Sequence, residues 1–257
     1  MTAAGQSAVS VYAAAFRRRA IFAARSWGTA FDDPGLVGLE QADGRVSLLV
    51  VDDRALAPLA GLLGGEPQGV IRVLPAASRS RAMLEAQPRW AKESLTAMVC
   101  RDLAAVPDVA LPEGVGLHPV SLDPGGADGS VDLVAVTAMV VQADPAAVGE
   151  NPEHMAASLR AVRPAPVFLA AVDSSGAVRA TSGCRVFGHD ASILFINTHQ
   201  EWRRRGIGRS MTAAALHAAR SAGATCAGLD ATSAGASIYL SVGFESAGPM
   251  AEFATAG

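Results

Sequence analysis

The chain has 257 residues, half of them hydrophobic and 18% charged, so it can fill one large or two modest cores and is not disordered throughout. A net charge of −3 and a pI near 5.9 lack the basic surplus of a nucleic-acid binder, so the expected partner is a small molecule or a protein and not nucleic acid. No run approaches about 18 uninterrupted apolar residues, which points away from a membrane and toward a cytoplasmic protein. The single lysine, Lys92, among 21 basic residues matches the GC-rich coding of a bacterium. Cys100, Cys184 and Cys226 are widely spaced, with no Cys-x-x-Cys pair and no histidine at a ligand interval. They read as buried free thiols, and no metal is expected.

In chain order, Met1 to Ala24 carries Arg17, Arg18 and Arg19 after an Ala-rich start. This has some transit-peptide character, and an amphipathic surface helix is the plainer reading. Strand signals follow at Val46–Val51 and Gly69–Leu74, with a helix at Ala55–Leu63 ending on Gly64-Gly65. Trp90, Leu95, Met98, Val99 and Leu103 recur at three- and four-residue steps, which predicts a helix from about Arg89 to Leu103. The segment Val106–Gly116, with Pro107 and Pro112, reads as a linker. It separates an N-terminal α/β region, 1–106, from a C-terminal domain, 107–257.

In that second part a strand near Val115–Leu122, a Gly/Asp-rich loop at Asp123–Gly129 and a helix near Val131–Gln142 are expected. Pro152 suits the first turn of another helix, with Asn151 as its cap. Strands at Val167–Val172, Val178–Phe187 and Ser192–Thr198, joined by Asp173–Gly176 and Gly188–Asp190, form an antiparallel meander. A helix from about Gly206 to Ala222, a strand at Thr225–Ala231, a short helix at Ser233–Val242 and a strand from Phe244 complete an α+β pattern: a mixed, mainly antiparallel sheet flanked by helices.

The segment Thr198-His199-Gln200-Glu201-Trp202-Arg203-Arg204-Arg205-Gly206-Ile207-Gly208-Arg209-Ser210 leaves a strand and enters a helix with Ile207, Met211, Ala214, Ala215 and Ala218 on one face. A helix N-terminus offers unpaired amides and the positive end of the peptide dipole, which suits a pyrophosphate. Gly206 and Gly208 let the backbone approach closely. Arg203 can fork onto one phosphate, and Arg204, Arg205 or Arg209 can meet a second.

This loop resembles the phosphate loop of the GNAT (GCN5-related N-acetyltransferase) family, (Arg or Gln)-x-x-Gly-x-(Gly or Ala), with Arg203, Gly206 and Gly208 in its fixed positions. Downstream, Tyr239-Leu240-Ser241-Val242-Gly243-Phe244 resembles the family's Tyr-x-x-x-Gly-Phe signature. The resemblance runs over about Leu117–Ala254. It implies an acetyl-CoA-dependent, or other acyl-CoA-dependent, N-acyltransferase in which a small-molecule amine attacks the thioester directly. It further implies a cofactor-binding set of Ile196, Thr198, Arg203, Arg204, Arg205, Gly206, Ile207, Gly208, Arg209, Ser210 and Thr232, with a backbone amide near Thr198 on the thioester oxygen. Tyr239 is then the general acid and Asn197 orients the acceptor.

Two departures from the family pattern stand out. Ser192 takes the place of a strand glutamate that often serves as general base, which leaves Asp190, His199, Glu201 and His154 as alternatives. Thr232 replaces an asparagine on the pantetheine arm. The missing glutamate keeps a second possibility open, a catalytically inactive acyl-CoA sensor or scaffold. Residues 1–106 resemble a degenerate GNAT-like half, as in tandem members, with no phosphate loop between Val51 and Arg101; their expected role is packing, dimerisation into a homodimer, or roofing the acceptor site.

Overall fold

Ser7 opens the fold by accepting the Ser10 amide on its hydroxyl, which starts helix α1 (Ala8–Trp27) over the segment expected to be amphipathic. The computed structural model describes residues 7–124, 129–143 and 151–255. They form two units. The first is 1–99 with 228–236 and 245–257, and the second is 100–227 with 237–244. The expected domains 1–106 and 107–257 would divide in the proline-rich linker; these units part at Val99/Cys100, and the first takes back two C-terminal segments.

In the first unit, β1 (Gly28–Asp33), β2 (Leu36–Gln41) and β3 (Arg45–Val50) pair antiparallel. A turn and helix α2 (Leu56–Leu63) then cross over to β4 (Gln68–Val73), which runs parallel to β3. Helix α3 (Ser78–Glu85) leads into β5 (Trp90–Cys100). The C-terminal strand β12 (Glu245–Thr255) pairs antiparallel with both β4 and β5, and so lies between them. Side chains of β3 alternate as a pleat requires: Val46, Leu48 and Val50 join α2, α3 and Phe253, whereas Leu49 joins Tyr12 of α1 with Leu95 and Met250.

Residues 89–103 are not the expected helix. Leu95 and the run Ala97–Cys100 are buried because β5 is covered on both faces, and a strand apolar on both faces shows no two-residue alternation. Its spacing imitates helical steps, while its backbone is committed to the β12 ladder from Trp90 to Val99. The first unit also holds a buried charge network. The Tyr12 hydroxyl donates to Asp230, and Arg72 donates from Nε to Asp230 at 2.6 Å and pairs with Glu252 at 3.1 Å. Burial alone would lower the Arg72 pKa, but the two carboxylates raise it further than burial depresses it. Burial also pushes the Glu252 carboxyl up.

The second unit begins with an irregular stretch and then β6 (Val115–Ser121), β7 (Val131–Asp132) and helix α4 (Leu133–Ala143). Of the expected loop at 123–129, residues 125–128 lie outside the described residues. Asn151 caps α5 (Pro152–Ala161) as expected, accepting the Glu153 and His154 amides at 2.8 and 3.2 Å. Strands β8 (Val167–Asp173), β9 (Val178–Phe187) and β10 (Asp190–Thr198) make the expected meander, and β6 adds antiparallel to β8. Helix α6 (Ile207–Ser221) buries Ile207, Met211, Ala215, Leu216 and Ala219. Strand β11 (Cys226–Ala231) starts beside β10, where the Thr225 and Cys226 amides both donate to the His189 carbonyl. The short helix α7 (Ala236–Leu240) is half the expected length. The architecture is thus α+β, with a mainly antiparallel sheet flanked by helices.

Candidate active site

The site in the second unit is built where β10 ends and α6 begins. The β10 ladder with β9 breaks between Leu194, opposite Gly183, and Asn197, opposite Thr181. Phe195 and Ile196 therefore face Ser182 alone, a β-bulge of two residues against one. Phe195 adopts φ 53°, a left-handed conformation that costs a non-glycine residue about 1–2 kcal/mol. The Phe168 ring lies 5.6 Å from the Phe195 ring, and the Thr181 hydroxyl donates to the Phe195 carbonyl at 2.9 Å. Nothing in the sequence signals this bulge, because it contains neither glycine nor asparagine at the left-handed position.

Beyond Thr198 the chain turns through His199 and a 3₁₀ stretch, Gln200–Trp202. Arg204 and Gly206 then take φ of 67° and 80°. Alternating left-handed residues curl successive N–H groups toward one side, the geometry of an anion-binding nest. Among the described residues the amides of Arg204, Arg205, Gly206, Ile207 and Gly208 make no hydrogen bond. Five unbonded amides thus follow one another into a helix N-terminus.

The side chains around the turn divide into two kinds. Arg203, Arg204, Arg205 and Arg209 are exposed. Arg203 spends only Nε, donating to the Thr198 carbonyl at 3.0 Å, which ties the turn to the end of β10. Trp202 anchors the turn to the core beside Ile207 and Met211, with the guanidinium of Arg205 4.8 Å and that of Arg179 5.3 Å from its ring. Arg179 in turn donates to Asp173 at 2.6 Å, and Ser175 and Arg179 hold the Asp173 carboxyl far below the usual carboxylate range.

Gly208 closes the site. A Cβ there would stand 3.4 Å from Ile238 Cδ1 and 3.6 Å from Thr198 Oγ1, so the first turn of α6, the end of β10 and helix α7 meet at this glycine. Tyr239 follows Ile238, half-buried, with its ring edge-on to Phe244 at 5.9 Å. Gly243, at φ 101°, lets the chain turn so that the Phe244 amide reaches the Tyr239 carbonyl at 3.2 Å. Burial raises the Tyr239 pKa, which keeps the phenol protonated at neutral pH. Its hydroxyl has no hydrogen-bond partner among the described residues.

Several expected residues fall elsewhere. Ser210 is engaged within the fold: its buried hydroxyl donates to the Ala110 carbonyl at 2.7 Å and its amide to Gly206. Ile207 offers its amide alone, since its side chain is core. Asp190 begins β10 and Thr198 ends it, about 26 Å apart at a strand rise of about 3.3 Å, and Asp190 is occupied by the Cys226 thiol at 2.9 Å. Asp190 is therefore no base for chemistry at Thr198. His154 is an exposed residue in the first turn of α5. His199, whose Nδ1 is buried without a partner among the described residues, and exposed Glu201 remain beside the turn. Asn197 is half-buried beside the bulge. Thr232 belongs to the first unit, exposed, its carbonyl accepting the Gly235 and Ala236 amides. Cys226 is only half-buried, unlike Cys100 and Cys184.

Residues 164–246 match the family model described as "Acetyltransferase (GNAT) domain". The fold is that of the GNAT superfamily. Among solved structures, a GCN5-related N-acetyltransferase from Kribbella flavida aligns over 97% of this chain and 96% of its own, at 16% identity and a TM-score of 0.65. One from Sphaerobacter thermophilus aligns over 85% and 75%, at 19% identity and 0.57. A tandem GNAT protein from the clavulanic acid biosynthesis pathway aligns over 100% and 97%, at 17% identity and 0.55. No curated protein matches the sequence. No helix among the described residues is long and apolar enough to cross a membrane, and no group of side chains there could hold a metal ion.

The first unit has its own counterpart of this turn, between β3 and α2, with a different chemistry. Asp52 caps the Arg54 amide at 2.9 Å, and Asp53 accepts the Arg79 and Ser80 amides at 3.0 and 2.9 Å. Asp52 takes up a donor of that turn, Asp53 binds the start of α3, and the charge of both carboxylates opposes a phosphate.

Proposed function

We propose that the second unit binds one acyl-CoA, in the first instance acetyl-CoA, and transfers its acyl group to the amine of a small molecule. The observation that carries this reading is the row of five unbonded amides from Arg204 to Gly208, set between the β10 bulge and Tyr239. The amides and the guanidiniums of Arg203, Arg204, Arg205 and Arg209 hold the pyrophosphate. The pantetheine arm runs from there along the edge of β10 that faces away from β9, with Thr198 and Ile196 as its backbone contacts.

The amine nitrogen, oriented by Asn197, attacks the thioester carbonyl, and the Ile196 amide stabilises the negative charge that forms on its oxygen. As the C–S bond breaks, Tyr239 donates its proton to the leaving thiolate. The amine loses its own proton to His199, to Glu201 or to water, since Ser192 cannot accept it. No covalent enzyme intermediate forms, so no nucleophilic cysteine is needed; burial pushes the Cys184 thiol up to about 11, away from thiolate chemistry.

Ser192 also favours a second reading, a unit that binds acyl-CoA as a sensor without turnover. Thiol release from acetyl-CoA across a panel of small amines separates the two. Saturable binding with no release on any amine supports the sensor, and absence of binding defeats both.

A further inference from the structure

We infer that Thr181 of β9 is a positioning residue for acyl transfer, acting through the Phe195 carbonyl to aim the Ile196 amide at the donor thioester. The inference rests on the acyl-transfer reading above. Thr181 has no exposed surface, and its hydroxyl donates to the Phe195 carbonyl at 2.9 Å. That carbonyl belongs to the one residue of β10 with a left-handed backbone, a conformation phenylalanine does not choose unaided. The bulge is therefore held from outside. Thr181 grips its carbonyl, and Phe168 packs against its ring.

Peptide planarity turns this grip into an orientation. In a trans peptide the C=O of Phe195 and the N–H of Ile196 point in opposite directions. With the carbonyl drawn toward β9 by Thr181, the Ile196 N–H points away from β9. Ile196 has no partner in the β9 ladder, so β9 leaves that amide to the donor thioester. Removing the hydroxyl leaves a part-buried carbonyl without its donor, and the 195–196 peptide loses the contact that keeps it from rotating. The neighbouring Ser182 provides the control. It is equally buried and faces the bulge in register, yet its hydroxyl has no partner among the described residues.

The test uses the full-length protein and acetyl-CoA labelled with ¹³C at the thioester carbonyl, whose infrared band reports hydrogen bonding to that oxygen without any acceptor present. In wild type the band lies at lower wavenumber than in a thioester that receives no hydrogen bond. Thr181→Val should move it back up and lower kcat, not KM, on the order of tenfold with an amine the wild type accepts. Its affinity for CoA should stay within about twofold. Thr181→Ser should restore band and kcat, and Ser182→Ala should change neither. A folded Thr181→Val protein with wild-type band and kcat overturns the inference. If the valine variant fails to fold, Thr181→Cys, a weaker donor, should give an intermediate band, and a wild-type band there overturns it equally. A wild-type protein that binds no acetyl-CoA overturns the acyl-CoA reading itself, and does so before any Thr181 variant is measured.

Discussion

Gly206 is the position at which the phosphate-binding proposal can be tested most cleanly, because its side-chain space is empty. A Cβ added there meets nothing within 4 Å, so a substitution adds no clash, while φ at 80° penalises any L residue. The left-handed conformation costs alanine about 1–2 kcal/mol, which the turn either bears or escapes by rotating the amides of 206–208 out of the nest. If it escapes, the same free energy appears as a loss of CoA affinity of about 5- to 30-fold for Gly206→Ala. Gly206→Asn should lose less, since asparagine tolerates this region, and Gly206→Val should lose most. Calorimetric titration with CoA, with thermal unfolding as the control for fold, gives the ranking Gly, Asn, Ala, Val. A folded Gly206→Val protein that binds CoA like wild type would refute the assignment of this turn.

Other outcomes follow from the same geometry. Arg203→Ala should weaken CoA by about 1.5–3 kcal/mol if its free guanidinium nitrogens meet a phosphate, and the loss should shrink for a thioester lacking the nucleotide; an equal loss with both donors points instead to the severed bond to Thr198. Tyr239→Phe keeps the packing on Phe244 and should reduce turnover about 10²-fold or more at nearly unchanged CoA affinity. Because burial raises the phenol pKa, wild-type kcat should show no alkaline fall from this group below pH of about 10, and an earlier fall assigned to Tyr239 by its absence in the Phe variant would contradict its role as the proton donor. Calorimetry should return one CoA per chain, since Asp52 takes the Arg54 amide of the first unit's turn and Asp53 sets a second carboxylate there; two would overturn that account. Arg72→Met strands Asp230 and Glu252 together in a part-buried place and should destabilise the first unit by about 3–5 kcal/mol, read from denaturant unfolding; a loss under 1 kcal/mol would show the network to be solvated.

Local chemistry made much of the second unit readable. Arg203, Gly206 and Gly208 mark a strand-to-helix turn by composition, Asn151-Pro152 marks a helix start, and Gly243-Phe244 a helix end; the structure has an element boundary at each. Features that depend on tertiary partners were opaque. The left-handed φ of Phe195 has no residue signature, because Thr181 and Phe168 impose it from other strands. Residues 90–100 read as a helix, since burial on both faces erases the alternation that identifies a strand. Ser210 joined the expected phosphate ligands because of where it stands in sequence, and only the fold shows its hydroxyl turned to Ala110. The return of residues 228–236 and 245–257 to the first unit left no mark at all, as no glycine or proline cluster punctuates Ala227-Gly228.

The place of β12 between β4 and β5 has a consequence for biosynthesis. Both neighbours are translated more than 140 residues before it, so the first unit emerges from the ribosome with two unpaired strand edges where its ladder will form. The second unit, whose β6-to-β10 sheet is drawn from one continuous stretch, can pair its strands while synthesis continues. The nascent chain therefore carries paired β6-to-β10 strands while the first unit is still unfinished, and open β edges of that kind invite pairing with another chain. Deleting residues 245–257 should accordingly show as aggregation seeded from the N-terminal strands, far in sequence from the deletion itself.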